Sequence, residues 1–154
     1  MEKQKEFESS IIEHKIENGV EYIQFKKLLE YPTIKHAYIL KSFQRDFRMG
    51  EEYKNIENVK KQLEEISKVV GIDYERIVRP DFEHTNRVAI VSEVDESEIP
   101  NLKKKRFPET DGLITKKENI ALIATNADCN LVLIYDPIQK VIANIHARLE
   151  GDVW

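Results

Sequence analysis

"CNLVLIYDPIQKVIANIH", residues 129–146, decides how this chain reads. Two runs rich in Val, Ile, Leu and Tyr flank "DPIQ", where Asp136 and Pro137 are turn initiators, so the stretch reads as an antiparallel hairpin with a four-residue loop. Pairing Tyr135 with Lys140 places Cys129 opposite His146, with Cβ atoms ~4.5–5.5 Å apart on one face. A slip by one residue would put the two side chains on opposite faces. Cys129 is the chain's only cysteine and His146 one of four histidines.

Outward from the hairpin, periodicity alternates between strand and helix. Residues 19–26 ("GVEYIQFK") and 34–40 ("IKHAYIL") read as strands, after a charged segment, residues 1–18, expected to be mobile. Over residues 51–70, Ile56, Val59, Leu63, Ile66 and Val70 recur at spacings of three and four, the stripe of a helix that Gly71 caps in the left-handed conformation. A short strand near "IVRP" precedes a loop holding His84, and a further strand covers about residues 87–91. Residues 95–109, with Pro100, Pro108 and the basic run Lys103 to Arg106, read as an exposed connection. Asp111-Gly112 reads as a turn, followed by a short strand, a polar turn near residues 116–119 and another strand from Ile120. The expected fold is mixed α/β: a mostly antiparallel sheet with flanking helices in a single domain.

Composition narrows the function classes. With 154 residues, 41% hydrophobic, the chain can bury one core. A net charge of −4 gives no pull toward nucleic acid or an anionic membrane. A single cysteine cannot form an internal disulfide, and the first residues lack the pattern of a signal peptide, which points to a reducing cytoplasm. The longest apolar run, residues 131–135, is far below the roughly 18 residues needed to span a bilayer.

The candidate functional residues each have an ordinary reading. Cys129 alone suits a small buried hydrophobe, and His146 a packed histidine. His14 reads as solvated and His36 as packed in a strand. His84 differs, because Glu83, Thr85, Asn86 and Arg87 surround it with polar groups on a loop.

Taken in order, "HTNRV", "DGLIT", "ADC", "YDP" and "VIANIHA" resemble the laccase-domain family, whose members have been called polyphenol oxidases, peptidoglycan editing factors and purine nucleoside phosphorylases. The resemblance covers about residues 19–147. It implies that His84, Cys129 and His146 bind Zn²⁺ and form the catalytic centre. Two nitrogens and one thiolate leave a fourth position open, as catalytic zinc requires. Zinc lowers the pKa of bound water to about 7, the chemistry that adenosine deamination uses. The implied substrates are adenosine, inosine and methylthioadenosine, with phosphate as co-substrate, and the mixed α/β fold agrees with the family. Phe82 stands where the family usually has glutamine, and Asn126 where many relatives have threonine.

The ending departs further, since the family continues His-Ala-Gly-Trp-Arg-Gly-Thr and this chain reads "HARLEGDVW". Residues 148–152 can be encoded AGG TTG GAG GGG GAC; without the first A the same bases read Gly-Trp-Arg-Gly and then threonine. Residues 148–154 are therefore expected to be an out-of-frame tail on a domain incomplete at its C-terminus, which the gene's DNA can test.

Three other readings stand beside zinc phosphorolysis. Cys129 with His146 as base fits a cysteine hydrolase. A copper polyphenol oxidase suits one cysteine and two histidines only as a type-one centre, and a multicopper enzyme needs more histidines. An inactive truncated fragment is the third.

Overall fold

In the computed structural model, the described residues are 9–41, 45–48, 54–92 and 107–148. The basic run at 103–106, most of the tail from Arg148 onward and the start of the expected helix at 51–53 lie outside them. The chain divides into two compact units, Met1–Ile72 and Asp73–Trp154.

In the first unit, β1 (Ile12–Glu17) and β2 (Val20–Phe25) form an antiparallel hairpin, and β3 (Tyr38–Ile39) pairs with the other edge of β2. Asn18 and Gly19 make the turn with φ of 49° and 77°, the doubly positive backbone that a tight hairpin uses. The fold thus begins before Gly19, inside the segment read as mobile. His14 is corrected with it: its side chain is 3% exposed, and Nε2 lies 2.9 Å from Glu21 Oε1. The charged flanks of β1 conceal this, since Glu13 and Lys15 alternate with the inward-facing His14.

A short helix, α1 (Lys26–Leu29), follows β2. The second expected strand shrinks to Tyr38–Ile39, and His36 before it is held by its ring: Nε2 accepts the Phe25 N–H at 2.7 Å. Helix α2 (Ile56–Val70) buries Ile56, Val59, Leu63 and Ile66, and Gly71 ends it at φ 73° with its N–H bonded to Ser67 O. Val20, Tyr22 and Ile66 form the core of this unit, with Ile39, Phe47, Val69 and Val70 packed around them.

In the second unit, β4 (Ile77–Val78) pairs in parallel with β7 (Ala121–Leu122). A four-stranded sheet runs in the order β5 (Val88–Ile90), β6 (Gly112–Thr115), β9 (Val141–Ala147), β8 (Asn130–Asp136). Its β5–β6 pair is parallel and the other two are antiparallel. The fold class is therefore mixed α/β with mostly antiparallel pairing, although the strands among the described residues are shared by three sheets. Val78, Val91, Leu113 and Ile120 form the core of the unit.

Strand pairing puts Val88, Gly112, Ile145 and Val132 in one cross-sheet row and Ile90, Ile114, Ala143 and Ile134 in the next. At the two ends of those rows Val88 is 51% exposed, Ile90 77%, Val132 41% and Ile134 49%. This face is apolar and open to solvent at its edges. Among the described residues no helix is long and apolar enough to cross a membrane.

Candidate metal centre

Two readings made from the sequence change at the centre of the second unit. The hairpin pairs Tyr135 with Ile142 and Leu131 with His146, a register two residues away from Tyr135–Lys140. Asp136 is the reason. Its Oδ1 accepts the N–H groups of Ile138 (2.8 Å) and Gln139 (2.9 Å), so it closes the strand and caps the loop, while Lys140 takes a left-handed φ of 52°. Because the side-chain period is two, a shift of two keeps every face. Cys129, just before β8, stays on the same face as His146, one diagonal step from it.

Asp111-Gly112 is not a turn. Gly112 opens β6, and the Asp111 carbonyl accepts the His146 N–H at 2.7 Å, continuing the β6–β9 ladder one residue further. Asp111 is 2% exposed. Its Oδ1 takes the His146 Nδ1 contact at 3.0 Å and the His84 N–H at 3.1 Å; its Oδ2 accepts from the Thr85 N–H (2.7 Å), the Thr85 hydroxyl (3.0 Å) and the Glu83 N–H (3.4 Å). Burial pushes this carboxyl up, but the bonds from Thr85, His146 and His84 together outweigh it and hold the group below the usual carboxylate range. Sequence reasoning missed the role of Asp111: it opens the "DGLIT" motif, but its Asp-Gly pair equally fits a turn.

His84 sits at φ 57°, a left-handed backbone uncommon for a residue with a Cβ, in the loop that wraps the Asp111 carboxylate. Its imidazole lies beside that of His146, with ring centroids 5.3 Å apart. Phe82 packs against His146 from another side, at 5.0 Å between centroids. Where the resembling family usually has a glutamine, an apolar ring therefore covers the histidine. Asn126 Nδ2 donates to the Cys129 carbonyl and ties the segment before β8.

The outcome is one cluster. Ligand atoms of His84, Cys129 and His146 all lie within 4.8 Å of one another, with His84 exposed, Cys129 half-buried and His146 buried. A tetrahedral ion with bonds of ~2.0–2.3 Å holds its donors roughly 3.5 Å apart, so small side-chain rotations would let all three reach one cation. Two imidazoles and a thiolate fit zinc, or copper, and three donors are one fewer than a tetrahedral ion takes. The histidines outside the cluster, His14 and His36, are engaged by Glu21 and by the Phe25 amide.

Residues 37–153 match the model of the multi-copper polyphenol oxidoreductase laccase family. The chain belongs to this family. The match runs across the division at residue 72, so both units carry family sequence. Curated relatives include the purine nucleoside phosphorylase YlmD of Bacillus subtilis, 30% identical over 96 residues, 62% of this chain and 34% of that protein. A purine nucleoside phosphorylase of Borreliella burgdorferi is 42% identical over 45 residues, 29% of this chain and 20% of that protein.

Among solved structures, the hypothetical protein YfiH of Bacillus licheniformis superposes with a TM-score of 0.62 at 20% identity, over 93% of this chain and 51% of that one. YlmD of Geobacillus stearothermophilus does so with a TM-score of 0.62 at 18% identity, over 92% and 47%. These superpositions show the family's fold. The chain spans about half the length of those structures and between a fifth and a third of the two curated relatives in aligned sequence.

Proposed function

We propose that this chain carries the zinc centre of a purine nucleoside phosphorylase that cleaves adenosine, inosine and methylthioadenosine and also deaminates adenosine. The convergence of His84, Cys129 and His146 within 4.8 Å carries the reading, and the names of the curated relatives support its substrate class. His84 would hold the ion through a ring nitrogen, Cys129 through Sγ and His146 through Nε2, since its Nδ1 faces Asp111. Bound there, Zn²⁺ supplies a Lewis acid with one open coordination position.

In phosphorolysis a phosphate oxygen bonds to the anomeric carbon, the glycosidic C–N bond breaks, and the base leaves with a proton. A Cys129 thiolate and the buried Asp111 carboxylate beside His146 would together offset the charge of a bound Zn²⁺, so phosphate would be drawn by direct approach to the ion rather than by a net positive field. Phe82 shields one flank of His146 from water. The reading places the chain in a reducing cytoplasm, with purine nucleosides and phosphate as partners rather than nucleic acid or membrane; the net charge of −4 supports that choice.

Metal analysis of the purified full chain, with base and ammonia release measured before and after chelation, tests the proposal. About one zinc per chain, with phosphate-dependent base release and ammonia release from adenosine that both stop on chelation, is the expected result. Stoichiometric copper with oxidation of phenols would replace it with the oxidase reading. Metal-free protein whose Cys129 alkylates rapidly would replace it with the cysteine hydrolase.

A further inference from the structure

We infer that Asp111 is the positioning residue that assembles this centre, orienting His146 by its side chain and His84 by its backbone; the inference rests on the metal reading above. Its geometry is unusual in serving two of the three ligand residues at once. Asp111 stands directly opposite His146 on the β6–β9 ladder, so the carboxylate meets the imidazole across the strands at 3.0 Å. The same two oxygens accept three consecutive main-chain N–H groups, from Glu83, His84 and Thr85. Left-handed backbone at His84 turns those N–H groups to one side and makes the concave cradle that anions occupy.

Chemistry gives each contact a consequence. The Asp111 oxygens already accept from three main-chain N–H groups and the Thr85 hydroxyl, and acting as acceptor toward His146 Nδ1 as well they direct the Nε2 lone pair to an ion. A carboxylate this deeply buried persists because donors surround it, and the donors are the loop that carries His84. Asp111, at the start of β6, thereby links the His84 loop, 27 residues away in the chain, to β9, 35 residues away. Carboxylates that hold a metal-binding histidine this way typically change metal affinity 10–100-fold when lost.

Two measurements on the full chain test the inference. The first is Zn²⁺ affinity of the wild type and of Asp111→Asn, by competition with a chromophoric chelator. Asp111→Asn is expected to bind about 10–100-fold more weakly, whereas affinity within twofold of the wild type overturns the inference. The second needs no folded variant: ¹⁵N chemical shifts of the histidine rings in the metal-free wild type, with the His146 ring assigned by through-bond correlation to its own backbone amide. An Nδ1-protonated ring is expected, and an Nε2-protonated one overturns the inference. If the wild type binds no zinc, the metal reading fails by itself, and the ring shifts still decide whether Asp111 orients His146.

Discussion

Leu131, rather than Cys129, stands opposite His146 across the β8–β9 pair, and Cys129 reaches the imidazole diagonally from two residues farther along the same face. The cluster therefore depends on Cys129 being level with the end of the ladder, where Asn126 ties its carbonyl. The three ligand positions should not be interchangeable. Cys129→Ser is expected to weaken zinc binding more than the 10–100-fold typical of losing a supporting hydrogen bond, because a hydroxyl is a much poorer ligand than a thiolate. His146→Gln should do the same and additionally lower stability by leaving the Asp111 carboxylate without its ring partner. Chelator competition and urea unfolding separate the two effects.

Gly112 is required by packing rather than by its backbone angle. A Cβ built there would meet Val88 Cγ2 at 2.9 Å and Ile145 Cγ1 at 3.4 Å, its neighbours on β5 and β9. Gly112→Ala is expected to destabilise the chain by ~1–3 kcal/mol, the usual range for overpacking. Adding Val88→Ala, at an exposed position, should restore most of that loss, and unfolding of the double variant measures the coupling.

His36 gives the first unit a pH dependence with a definite sign. Burial, joined by the charge of Lys15, holds its pKa below the ordinary 6.5. A histidine depressed in the fold contributes stability that is present above about pH 6.5 and is lost as the pH falls through its folded value. The physical cause is the burial of the ring, which disfavours its charged form, while Nε2 is engaged by the Phe25 N–H. Stability measured from pH 7.5 down to 5 should fall in the wild type, and His36→Gln should reduce that slope. An unchanged slope would remove His36 as its source.

Exposed Ile90 and Ile134 terminate one cross-sheet row and exposed Val88 and Val132 the other, an arrangement prone to self-association. Ile90→Lys combined with Ile134→Lys is expected to lower light scattering at a given concentration without changing the free energy of unfolding by more than about 0.5 kcal/mol per site, the usual size of surface effects. Unchanged scattering would show that this face does not drive association.

The amino-acid order alone determined the family, the amphipathic stripe of α2 with its Gly71 cap, and the existence of the β8–β9 hairpin, because each is written in local periodicity or in an ordered set of short motifs. It also named His84, Cys129 and His146, which the fold brings together. Only tertiary structure decided the hairpin register, since the cap made by Asp136 competes with other loops of nearly equal local merit. Tertiary structure alone also revealed that β1 belongs to the fold, that His14 is buried against Glu21, and that Asp111 lies at the centre of the cluster. A polar residue buried by partners tens of positions away leaves no periodic trace, because its environment is set by which strands meet and not by the residues beside it.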